Sequence, residues 1–379
     1  MTRLSQQAFE WAQSQAVTLA LGQGDAISKD SLRQLLKSAA SMGWMGIQVP
    51  REQGGLGLSF SDKVAVVEAL ARVDFGLSMA IVNSHNVAEQ LVRLNRAGLM
   101  DQVVPGILSG DVLACTALTE PGAGSDFAAI QTVAQPMGEG WRLDGDKAWI
   151  INAWHADGAV VYAQTQSGSG AAGIAAFWVE AGRDGWVRTQ ARPMGPLPLM
   201  GTGAFQLRGY HCLPDECVSP PTQAFKDIMH GINAARCYVA AMCCGMVAQC
   251  LSVAAGHGHQ RSTFGLPLKG HQGWRWILAE AHTDLAAAQA LVRIACQHID
   301  AGLDARLSAA HAKVLATRMA QTHIGALAHA MGAEGLQGSH PFLRHLKAAQ
   351  VATLTDGSTE MLLELIARTA TDPVSDSKP

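Results

Sequence analysis

Residues 224–255, AFKDIMHGINAARCYVAAMCCGMVAQCLSVAA, contain no proline and read as one uninterrupted helix. At ~1.5 Å per residue it would be about 45 Å long. Its centre, ARCYVAAMCCGMVAQC, is apolar around most of the circumference, so it needs neighbours on several sides. The run therefore predicts a helical bundle, one that continues across a subunit boundary.

The rest of the chain falls into place around that helix. Up to residue 112 the pattern is helical, with segments such as FSDKVAVVEALARV carrying apolar residues three and four apart, and punctuation at PREQGGLG and near Gly98. From 113 to 218 the texture changes. Short runs such as VLACTAL, GWRLDGDKAWII, GAVVYAQT, GIAAFWVE and AFQLRGYH sit between Gly, Pro, Asp and Ser clusters, the pattern of antiparallel strands and turns. After SPP at 219–221 the helical texture returns, with loops near 261–270, 300–306 and 335–341. The predicted class is α+β, mostly α: an N-terminal helical domain (1–112), a central antiparallel β domain (113–218) and a C-terminal four-helix-bundle-like domain (219–379).

Composition narrows the function. A net charge of −3 with 16% charged residues argues against a nucleic-acid footprint or an acidic tail. No apolar stretch of ~18 residues runs without polar interruption, so no membrane span is expected. The N-terminus lacks the apolar core of a secretory signal. Eight cysteines without CxxC pairs or secreted-framework spacing read as reduced core residues of a cytoplasmic protein.

Several motifs are decoys. Gly168, Gly170 and Gly173 satisfy GxGxxG, but a strand-like IAAFWVE follows where a dinucleotide site needs a helix, so the segment is expected to be a hairpin loop. His257 and His259 are two apart, which on a helix points them to different sides, and no metal site is expected there. Two segments carry more. ALTEPGAGSD, 117–126, ends a strand in a hydroxyl, a carboxylate and a glycine-rich turn whose amides suit a polar ligand. DKAWIIN, 146–152, presents Trp149 as core or as a platform for a planar cofactor. TLTDGSTEM, 353–361, breaks a helix at Asp356-Gly357, a stop and new start by local sequence.

ALTEPGAGSD, KAWIIN, QRSTFGLPLKGHQ and LTDGSTE, in this order and at these separations, resemble the acyl-CoA dehydrogenase family of flavoproteins. VPREQGGLG and HAMGAEG extend the likeness over nearly the whole chain. The resemblance implies FAD held between the β domain and the C-terminal bundle. Leu118, Thr119 and Ile151 would lie at the flavin ring, Trp149 on its face, and Ser125 near the phosphates or the thioester tail. Arg261, Thr263, Phe264 and Gln272 would contact the FAD of a neighbouring subunit, with Gly332, Gly335 and Ser358 also on the cofactor side, in a homodimer or homotetramer. Asn233, Arg236, Thr355 and Gly357 would line the substrate, an acyl-CoA or acyl-carrier-protein thioester, and Asp356 would remove its α proton, with Arg236 as the second catalytic residue. Electron-transfer flavoprotein or oxygen would be the acceptor.

The sequence departs from the family in three places. The family's Glu base is Asp356, shorter by one C–C bond, about 1.5 Å; a ~1 Å misplacement costs ~100-fold in rate, so substrate or backbone must compensate. The other station some relatives use for the base is Ala235. The hydroxyl of the family's W-I-T is replaced by Ile151, while Thr355 and Lys347-Ala348 stand where an aromatic residue and an Arg-Asp pair are usual. These changes point to an unusual thioester in a specialised pathway. Two alternatives stay open: a nitroalkane-oxidase-like flavin oxidase, although Leu363 stands where its arginine would be, and a non-redox flavin-binding lyase or scaffold.

Overall fold

A computed structural model describes residues 2–19, 27–192, 195 and 197–371. Five helices come first: α1 Arg3–Leu19, α2 Lys29–Ser41, α3 Phe60–Val73, α4 Phe75–Arg93 and α5 Ala97–Ser109. Side chains cap three of them, Ser28 on α2, Ser59 in a reciprocal pair with Asp62 on α3, and Asp74 on α4. Each satisfies an amide that the first helical turn leaves without a partner.

The strands follow: β1 Ala114–Ala117, β2 Val133–Met137, β3 Gly140–Ile150, β4 Gly158–Gln164, β5 Ile174–Glu180, β6 Trp186–Ala191, β7 Gly203–Cys212 and β8 Cys217–Ser219. They form one sheet in the order β6-β7-β3-β2-β4-β5-β8, with β1 also on β4. The sheet is not wholly antiparallel as predicted. β1 pairs with β4 in parallel, Ala114 opposite Gly158 through Ala117 opposite Val161, because the β2–β3 hairpin intervenes and turns β4 back to the direction of β1. Both faces of the central strands are buried, at period two. Val160, Tyr162, Ile174, Ala176 and Trp178 join the core shared with the N-terminal helices, whereas Ala159, Val161, Ala163, Ala175, Phe177 and Val179 face the second core of the sheet. The GSGAAG segment is, as expected, part of a connection between antiparallel strands, with a short 3-10 turn at Gly170–Gly173.

The chain divides into two compact units between Gly231 and Ile232. The second contains most of α6 (Ala224–Gln260), a two-stranded ribbon of β9 Ser262–Thr263 and β10 Leu266–Pro267, then α7 Gln272–Asp300, α8 Arg306–Ala330, α9 Phe342–Leu354 and α10 Thr359–Thr371. α6 runs five residues past the predicted end, through Gly256 and Gly258. A Cβ at Gly258 would stand 2.1 Å from the Trp274 ring, so this glycine serves close helix packing rather than a helix stop. By length and composition α6 is apolar enough to cross a membrane, which the sequence was not expected to contain; 61% of its most apolar window is buried inside the fold, as in the core helix of a bundle.

Candidate active site

In the first unit, β1 ends at Ala117 and hands Leu118 and Thr119, both part-exposed, to the turn that follows. A buried ion pair fixes this exit. The Lys147 ammonium on β3 donates to the Leu118 carbonyl (3.1 Å), the Tyr162 carbonyl (2.8 Å) and Glu120 Oε1 (2.8 Å). Glu120 in turn accepts from the Gln131 amide at 2.6 Å and the Thr132 amide at 3.0 Å. Burial brings the Lys147 ammonium down to about 8 against the pull of Glu120. Burial pushes the Glu120 carboxyl up, but Lys147 and the donors around it outweigh that and hold it below its usual range.

Beside this exit the end of β3 is bent. Ala148 N–H donates to the Thr119 carbonyl at 3.1 Å, and the register with β7 is broken between Lys147 and Ile150. Trp149 has φ 61° and is 50% exposed, an uncommon backbone state for a bulky side chain. The Arg192 guanidinium lies 4.4 Å over its ring. Asn152, at φ 69°, holds the turn by donating to the Ala80 carbonyl at 2.9 Å. Leu118, Thr119 and Trp149 are thus brought together where β1 and β3 end, and Ile151 sits part-exposed in the same turn. Ser125 lies further out on an exposed turn, where a side chain at Gly122 or Gly124 would meet open space.

In the second unit, Asp356 occupies the break between α9 and α10 at φ 57°, followed by Gly357 at φ 103°. Three successive carbonyls of this break are held by cations. Lys313 on α8 donates to Thr355 O, in a short contact, and to Gly357 O at 2.5 Å; Arg236 on α6 donates from Nε to Asp356 O at 3.2 Å and from Nη1 to Asn233 Oδ1 at 2.8 Å. The Asp356 carboxylate accepts no hydrogen bond from any described residue. Burial pushes it up from the ordinary aspartate range, with Lys313 and Arg236 offsetting part of the rise. Burial likewise lowers the Arg236 guanidinium and brings the Lys313 ammonium down to about 8. A carboxylate fixed through its backbone, with a free side chain and a raised pKa, is suited to general-base work.

Arg261, Thr263, Phe264 and Gln272 gather at the far end of α6, roughly 37 Å along the helix from Arg236 at ~1.5 Å per residue. Phe264 is 98% exposed at φ 50°, and Thr263 contacts His271. Gly332 and Gly335 follow α8. A Cβ at Gly335 would lie 2.3 Å from the Ala328 carbonyl, so packing against α8 accounts for that glycine.

Lys313, Lys147 and Arg192 were not singled out in the sequence. Lys313 had a legible signal, a lone charge on the buried stripe Ala309, Lys313, Ala316, Ala320, spaced by four, three and four. Lys147 lay inside DKAWIIN without a role, and Arg192 had no signal.

Models of the acyl-CoA dehydrogenase N-terminal, middle and C-terminal domains match residues 7–111, 115–208 and 223–371. The mitochondrial short-chain specific acyl-CoA dehydrogenase of Homo sapiens is 30% identical over 88% of this chain and 81% of its own length. Among solved structures, butyryl-CoA dehydrogenase from Megasphaera elsdenii superposes with a TM-score of 0.89 at 25% identity, covering 98% of each chain. The prolyl acyl carrier protein oxidase AnaB shares the fold at 0.90 and 19% identity, over 97% of this chain and 98% of its own. The chain belongs to the acyl-CoA dehydrogenase family, whose members are flavoprotein oxidoreductases acting on CH–CH groups.

Proposed function

We propose that this protein uses FAD to α,β-dehydrogenate an acyl thioester, carried on CoA or on a carrier protein, with Asp356 as the base. The observation that carries this is Asp356 itself, left-handed, with three backbone carbonyls of its break held by Lys313 and Arg236, its carboxylate without a hydrogen-bond partner among the described residues and its pKa raised.

The residues present fit the cofactor. Leu118 and Thr119 offer strand-end backbone, and Trp149 offers a half-exposed indole held in a strained conformation, which a planar ring would cover. When bound, FAD supplies the two-electron acceptor for the β hydride. Ser125 is assigned to the phosphates or the thioester tail, and Ile151 to the flavin edge without the donor that relatives place there. Asp356 removes the α proton onto a carboxylate oxygen. Arg236 positions the break, with Nε on the Asp356 carbonyl and Nη1 on Asn233 Oδ1, and keeps further guanidinium donors, so substrate contact is assigned to Asn233, Arg236, Thr355 and Gly357. Arg261, Thr263, Phe264 and Gln272 stand too far along α6 to share a small site with Asp356 in one chain, which supports their serving the FAD of a neighbouring copy. Gly332 and Ser358 stay on the cofactor side of the proposal; for Gly335 the close approach of α8 is sufficient reason.

A carrier-protein thioester is the finer choice we favour over ordinary fatty acyl-CoA, because the shortened base requires a changed substrate position and AnaB, of the same fold, is an acyl carrier protein oxidase. We assign electron-transfer flavoprotein or oxygen as acceptor and a cytoplasmic location, the latter supported by eight free cysteines of which seven are buried. The test is anaerobic mixing of the FAD-loaded protein with a panel of acyl-CoA and acyl-carrier thioesters. One class bleaches the flavin within seconds, and Asp356→Asn lowers the bleaching rate at least ~10³-fold with FAD still bound. Normal bleaching by D356N, or product formed with the flavin oxidised throughout, overturns the proposal.

A further inference from the structure

We propose that Lys313 is the positioning residue of the base: its ammonium holds the carbonyls on both sides of Asp356 and so keeps that residue in the left-handed state from which its carboxylate can act. The inference rests on Asp356 being the base.

The geometry is specific. Thr355 ends α9 with an extended backbone, and its amide and hydroxyl both turn back to the Val351 carbonyl, so its own carbonyl is free to point elsewhere. That carbonyl and the one of Gly357, two residues on, converge on one atom, Lys313 Nζ. Such convergence requires the intervening residue to reverse direction, and Asp356 does so at φ 57°. An L residue pays for that conformation with steric strain, and aspartate is among the few that tolerate it. Without the ammonium, two carbonyls would face a buried space with no donor, and the break would relax toward an ordinary helix end. Arg236 secures the middle carbonyl from α6, and its Nη2 would stand in ordinary contact, 3.5 Å, with a Cβ on Gly357.

Lys313 also acts through charge. The titratable and charged groups facing the break are Arg236 and Cys237 from α6, Cys243 from the same helix toward Lys313, Lys313 from α8, and Glu360 from α10, whose carboxylate is occupied by Ser358 and its own amide. Among the described residues, Lys313 and Arg236 are the groups that lower the Asp356 carboxyl against the effect of burial. Removing the Lys313 charge therefore moves the base further up, and removing its donors releases the backbone. A lysine that served packing alone would do neither.

The experiment compares Lys313→Met, Lys313→Arg and the parent, each as the FAD-loaded full chain. Hydrogen–deuterium exchange of peptides spanning 353–360 needs no substrate: exchange accelerates at least ~10-fold in K313M and stays near the parent in K313R. With the acyl thioester that bleaches the parent fastest, K313M loses ~10²-fold in kcat with KM within about threefold, and the acid limb of kcat/KM moves up by about one pH unit; K313R restores the limb. Should K313M fail to fold, K313Q, which keeps a donor without the charge, is measured in the same way and shifts the limb alike. Unchanged exchange in K313M, or an acid limb that stays at the parent's pH, overturns the proposal. Failure of Asp356 as the base shows separately, as normal flavin bleaching by D356N, while the exchange comparison still decides the clamp.

Discussion

Asp356 is held in a state that costs stability. Its folded pKa stands above the unfolded one, so ionised Asp356 costs stability at pH 7, and the cost disappears as pH falls through the folded value. Asp356→Asn is accordingly predicted to raise the melting temperature of the FAD-free protein at pH 7 by about 1–3 °C, on the order of 1 kcal/mol, with the gain shrinking in acid. Calorimetry of both proteins at two pH values checks the sign; a lower melting temperature for D356N at pH 7 would contradict it. At this scale the sequence singled out Asp356 as the candidate carboxylate, since an Asp-Gly break flanked by helix and by a matching motif is a local pattern. It did not reveal why the carboxylate is available. The donors that secure it sit on α6 and α8, remote in the chain, and no local pattern connects them.

At the scale of elements, the exit of β1 depends on one buried pair. Glu120 and Lys147 are 6% and 0% exposed as side chains, and breaking a buried pair by removing one partner costs ~3–5 kcal/mol because the other charge stays buried. Lys147→Met is predicted to lose that much in urea unfolding of the first unit, with Glu120→Gln in the same chain recovering part of it. A loss below ~1 kcal/mol would show that water or a rearranged neighbour satisfies Glu120. Helices and strands were legible because their burial repeats at 3.6 and 2 residues. Two details were not. The parallel pairing of β1 with β4 depends on which strands meet across an intervening hairpin, and the continuation of α6 through Gly256 and Gly258 depends on where Trp274 packs.

For the whole molecule, Phe264 is the most informative surface residue. At 98% exposure it makes almost no packing contribution within its own chain, so a large effect of removing it must come from another copy. Phe264→Ser is predicted to shift sedimentation velocity toward smaller species and to loosen FAD retention, leaving the secondary structure intact; an unchanged species distribution would mean that this ribbon is not an interface. The sequence by itself determined the order of helical, β and helical segments and the family, because periodicity and short motifs are written in neighbouring residues. Only the tertiary structure decided how Asp356 is presented, which cations hold it, and why Trp149 stands out from its strand. Those features rest on carbonyls and side chains brought together from distant parts of the chain, and their energetics exist only once the chain has folded.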